Sequence, residues 1–155
     1  MTAAGYHDVG EVMARLGTIA ASSGDVMRAE AGPLSAELLG LSEAVLEIWL
    51  EAHHQRPTAW RKEGFRLLGL HSQGARGEPS FNACRETCRE IVFYHNVIAA
   101  AGDPEERERA LRLMVMVVRH LALFISGKLE VAGLGEFCCA SRPLRTIPDP
   151  LPSGA

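Results

Sequence analysis

Apolar residues recur every three or four positions along most of this chain, and no alternating apolar–polar run reaches useful length. That spacing predicts five helices. The first covers residues 8–29, with Val9, Val12, Met13, Leu16 and Ile19 on one face. Ser22, Ser23 and Gly24 weaken its middle, and Gly32-Pro33 ends it. The second starts with Ser35 as its cap and ends near His54, burying Leu38, Leu41, Val45, Ile48 and Trp49. Arg56-Pro57 interrupts the pattern. The third opens at Thr58 and reaches Leu70, although Gly64 and Gly69 each cost it about 1 kcal/mol relative to alanine. The stretch HSQGARGEPS then reads as a loop.

The fourth helix runs over 80–101 with Ser80 as cap. The fifth has the clearest start: Asp103 as cap, Pro104 at the first helical position and Glu106 completing a capping box. Over 113–125 it is apolar nearly all round, which predicts a central rod with the other helices packed about it. It stops near Ser126-Gly127 or runs on to Ala132. Four prolines in SRPLRTIPDPLPSGA predict an extended, partly disordered end. The expected fold is an all-α antiparallel bundle of four or five helices, one domain over 1–140 with a flexible tail over 141–155.

Composition narrows the function more by exclusion than by indication. A net charge of -3 and 6% aromatic residues speak against a nucleic-acid surface, which needs concentrated cations and stacking platforms. Four cysteines in 155 residues are too sparse for a secreted disulfide scaffold. The start MTAAGYHDVGEVMARL lacks the basic and apolar regions of a signal peptide. The apolar run over 113–125 carries Arg119 and His120 and falls short of the roughly 20 residues a bilayer needs. A cytoplasmic protein with reduced thiols and no membrane contact is expected.

Candidate chemistry centres on the fourth helix. Cys84, Cys88 and His95 fall within about 40° on its wheel, beside Phe81, Ile91, Val92 and Ile98. Thiolate and imidazole together suit zinc or copper(I). Cys84 and His95 are roughly 16 Å apart along the axis and cannot share one ion. A site therefore needs Cys84 and Cys88 with help from elsewhere, His120, Cys138 and Cys139 being the candidates. The alternative is that both cysteines are small core residues. Cys138-Cys139 is a vicinal pair with only Arg142 nearby to favour a thiolate. Glu51-x-x-His54, preceded by Glu47, is half of a di-iron carboxylate pattern whose second half is missing.

Arg56, Arg61, Lys62, Arg66 and Arg76 face only Glu63 in sequence and, with His53, His54 and His71, form a local positive area. Such an area suits a phosphate, an acidic metabolite or an acidic protein surface; the alternative is a solvated face paired with the glutamates of the second helix. Motifs for hydrolysis or nucleotide binding are missing from the sequence.

The layout over 36–124 resembles a histidine-containing phosphotransfer domain. Leu70-His71-Ser72-Gln73-Gly74-Ala75 matches the segment that carries the family's phosphoacceptor. The family usually places a lysine and then a glycine three and four residues after the histidine, where this chain has Gly74 and Ala75. The resemblance implies a helical bundle in which His71 accepts a phosphoryl group from a protein partner.

The residues together lead to the expectation of a regulatory or adaptor bundle, without catalysis, that works through protein contact. Arg61, Lys62, Arg66, Phe93 and Val97 are its contact candidates, because Phe93 and Val97 form a second apolar strip on the fourth helix. Homodimerisation through Phe93 and Val97 is the specific form expected. The rival is a metal- or small-ligand-binding bundle using Cys84, Cys88, His95 and His120.

Overall fold

The computed structural model describes residues 1–134. They form an all-α bundle: α1 (Val9–Ala20), α2 (Gly24–Ala29), α3 (Ala31–Ala52), α4 (Arg66–Gly77), α5 (Arg85–Ala100) and α6 (Pro104–Ala132), with a 3-10 turn, Pro79–Cys84, before α5. The expected flexible tail and Cys138-Cys139 lie outside the described residues.

The first expected helix is two helices. Asp8 caps α1 by accepting from the Glu11 amide at 2.9 Å. Ser23 caps α2 by accepting from the Val26 amide at 3.2 Å. A side chain placed to cap a new helix explains the break better than weak propensity does. The chain then enters α3 almost directly, Pro33 being tolerated in its first turn. Ser35, the expected cap, is instead a buried residue inside α3.

α3 is the rod of the bundle. Between Ser42 and Leu50 only Glu43 escapes full burial. α3 packs against α1, α2, α4, α5 and α6, while α6 packs against α1, α2, α3 and α5. This corrects the expectation for 113–125. α6 buries Leu111, Met114, Val115, Val118, Leu121, Ala122, Ile125 and Leu129 on one side. Leu113, Met116 and Leu123 remain exposed on the other. An apolar circumference shows what a helix can bury, and the number of neighbours decides how much it does. α6 begins as expected, with Asp103 accepting from the Glu105 amide, and ends at Gly133 in the left-handed conformation.

The third expected helix is displaced. Residues 53–65 form an irregular connection that closes in a tight turn. Lys62 and Phe65 exchange two backbone hydrogen bonds of 3.1 and 3.0 Å, and Glu63 and Gly64 between them have φ of 55° and 87°. That is the pattern of a type I′ turn. Thr58 caps no helix; its Oγ1 accepts from the Trp60 amide at 3.0 Å. α4 then occupies the stretch expected to be a loop. Gly69 and Gly74 belong to α4 because neighbours press on it. A Cβ on Gly69 would lie 2.1 Å from the Trp60 carbonyl oxygen, and one on Gly74 would lie 2.5 Å from the Phe81 ring.

Candidate functional site

α4, the 3-10 turn and the start of α5 bring Phe81, His71, Cys84 and Cys88 together in the core. Phe81 is fully buried and stacks between Trp49, at 5.4 Å between centroids, and His71, at 5.5 Å. His71 Nε2 lies 3.0 Å from the Phe81 carbonyl oxygen. A carbonyl only accepts, so Nε2 carries the proton in this arrangement. The Cys84 thiol donates to the same oxygen at 3.2 Å.

Cys84 and Cys88 are free, buried thiols. The Cys88 S–H donated to its sulfur draws the Cys84 pKa down to about 6, with His71 acting in the same direction and burial opposing. The same interaction, together with burial, pushes the Cys88 thiol up. Of the two thiols Cys84 is therefore the first to lose its proton, and Cys88 the one that keeps it.

The metal candidates do not converge. His95 lies on the α3 side, its Nδ1 2.8 Å from Ser35 Oγ and its ring edge-on to Phe65. Burial pushes its pKa down. His120, expected inside the central rod, is exposed on the outer side of α6. Among the described residues no group of three His, Cys, Asp or Glu side chains could hold a metal ion. This also removes the Glu47, Glu51 and His54 set: Glu51 pairs with the chain's amino terminus, and His54 lies beyond the helix at φ 58°.

The basic area divides into two parts. Arg66 is structural. Its guanidinium lies 3.2 Å from Glu47 and 3.7 Å from Glu43, and its Nε donates to the Thr58 carbonyl at 2.9 Å. It ties α3 to α4 and to the connection. Burial holds the Glu43 pKa up, with Arg66 opposing. Arg61 is exposed.

The second part is a recess of about 310 Å³ lined by Lys62, His71, Ser72, Ala75, Arg76, Asn82 and Arg85. The type I′ turn sets Lys62 at its rim, where Nζ donates to Ser72 Oγ at 3.1 Å. Arg76 comes from the last turn of α4 and Arg85 from the first residue of α5. Neither arginine makes a hydrogen bond or ion pair among the described residues. Arg85 escaped the sequence reading because it joins the group only through the fold.

His71 is 6% exposed at the floor of this recess. Its Nε2 is engaged with the Phe81 carbonyl, so phosphoryl acceptance at that nitrogen would first require that bond to break. The expected lysine after the histidine has no counterpart in sequence, and the cation nearest in role is Lys62, from the preceding turn.

Phe93 is exposed, as a contact residue must be, and Val97 is half-buried. The larger apolar surface belongs to α6. Leu113, Met116 and Leu123 are 44%, 65% and 54% exposed, and Val131 and Leu134 extend the line. On the helical wheel Leu113, Met116, His120, Leu123, Gly127 and Val131 fall on one stripe. The described α6 is also long and apolar enough, by length and composition, to cross a membrane. The sequence reading counted only the run over 113–125, whereas the helix continues to Ala132.

Comparison with family models, with curated proteins and with solved structures finds no match to this chain. The class that the fold defines is an all-α helical bundle.

Proposed function

We propose that this protein is a non-catalytic regulatory bundle that acts through protein contact, and that its contact surface is the outer stripe of α6, seated against a second copy of the chain. The observation that supports this reading is the exposed line Leu113, Met116 and Leu123 on a helix whose opposite side is core. Water-exposed apolar stripes of this length are a cost that a covering partner removes.

Charge favours self-pairing in antiparallel order. A two-fold axis near His120 sets Leu113 of one copy toward Gly127 of the other, and Met116 toward Leu123. Arg112 is already held by Glu108 at 2.9 Å, so the charge that decides the order is Arg109, which lies on the stripe itself. Parallel pairing would set Arg109 against its own copy. Phe93 is exposed on α5, the helix packed beside α6.

Sedimentation equilibrium of the intact chain and of a Met116→Glu, Leu123→Glu variant tests the proposal. A dimer that becomes a monomer of unchanged helical circular dichroism is the expected result. A monomeric wild type at every concentration would overturn it, as would a monomer recovered on lipid vesicles or a variant that stays dimeric.

A further inference from the structure

The recess beside His71 is independent of the α6 surface, and it is built unlike the rest of this molecule. The chain carries three more acidic than basic side chains, yet no acid lines this recess. Three cations converge on it from three separate elements: Lys62 from the tight turn, Arg76 from α4 and Arg85 from α5. Several arginines elsewhere are matched: Arg15 to Glu37, Arg28 to Glu108 and Asp25, Arg66 to Glu47, and Arg89 to Glu63. Glu63, the acid nearest in sequence to Lys62, is held by both terminal nitrogens of Arg89, at 3.2 and 3.0 Å, and acts on Lys62 and Arg85 only at longer range. Like charges gathered with no acid between them repel one another, and an anion relieves that cost.

We propose that this recess binds a small molecule through its phosphoryl group. The donor set matches that chemistry. Two guanidinium groups offer paired N–H donors for two phosphoryl oxygens, and Lys62 supplies a point charge to the third. Ser72 and Asn82 add neutral donors at the wall. The volume lies at the small end of ligand pockets, which suits a phosphate monoester of modest size. The recess is open, so binding is reversible and weakened by salt. A carboxylate lacks the third oxygen and binds more weakly in the same place.

Lys62 positions rest on the turn at Glu63-Gly64, and Arg85 sits one residue after Cys84.

Calorimetric titration of the full chain with inorganic phosphate, phenyl phosphate and benzoate tests this, alongside an Arg76→Gln, Arg85→Gln variant and a separate Lys62→Gln variant. Expected are one saturable site for phenyl phosphate, at least about tenfold weaker binding of benzoate, and at least about tenfold loss in the double variant. Phosphate binding as tightly as phenyl phosphate would assign the site to the free ion, and the reverse would assign it to an ester. Lys62→Gln, whose side chain leaves the arginines in place, gives a smaller loss and guards against misfolding of the double variant. No saturable heat with either phosphoryl compound would overturn the proposal, as would unchanged affinity in both variants.

Discussion

At the scale of single residues, the Cys84 sulfur is strongly perturbed. As a thiol it donates to the Phe81 carbonyl; as a thiolate it accepts from Cys88 and sits beside His71. Its folded pKa of about 6 lies below the ordinary thiol range, so the folded chain releases this proton before the unfolded chain does. The contribution to stability is thus present above the ordinary thiol range and is lost as pH falls through about 6. Cys88 works in the opposite sense, keeping its proton in the fold while the unfolded thiol would ionise. We expect thiolate ultraviolet absorbance to show a step near pH 6 that Cys84→Ala abolishes and Cys88→Ala moves upward. A wild-type titration with no step below the ordinary thiol range would contradict this assignment. Urea midpoints of the wild type should rise from pH 6 toward neutrality more steeply than those of Cys84→Ala.

At the scale of elements, what was legible in the sequence depended on whether the signal was local. Asp103-Pro104 announces α6, and Val9, Val12 and Leu16 announce α1, because caps and periodicity act within a few residues. The break at Ser22-Ser23 was visible as a weakness but not as the second cap it is. α4 was misplaced by eight residues. Gly64 serves a turn closed by Lys62 and Phe65, while Gly69 and Gly74 serve contacts made by Trp60 and Phe81, and a glycine's neighbours in space are not written beside it. The recess was half legible for the same reason: Lys62 and Arg76 stood out as a basic run, whereas Arg85 reaches them only through the 3-10 turn. Paired glycine substitutions test this explanation. Gly69→Ala should lower stability by about 1–3 kcal/mol, since a backbone carbonyl must move. Gly17→Ala, with open space around an exposed helical position, should raise it by about 0.5–1 kcal/mol. Urea denaturation of both variants reads the signs; a stabilised Gly69→Ala would show that the Trp60 contact is not what places a glycine there.

At the scale of the molecule, burial falls on α3, and α6 divides the bundle's interior from its surface. Five helices satisfy α3, so it has nothing left to offer a partner. α6 is satisfied on one side only, and the apolar side chains that made it look central in sequence are the ones left outside. The recess lies on different elements, α4 and the start of α5, so ligand binding and self-association are separable properties of one fold. The decisive measurement is the distance between nitroxide labels in a chain whose Cys138 and Cys139 are serine, with the label at position 120 or at position 109. Antiparallel seating of α6 on α6 predicts a short separation for labels at 120, close to the roughly 10 Å between packed helix axes. It predicts a separation longer by about 25 Å for labels at 109, because the rise along two helices adds to the distance across them. Equal separations at both positions, or no dipolar coupling at 120, would contradict the account.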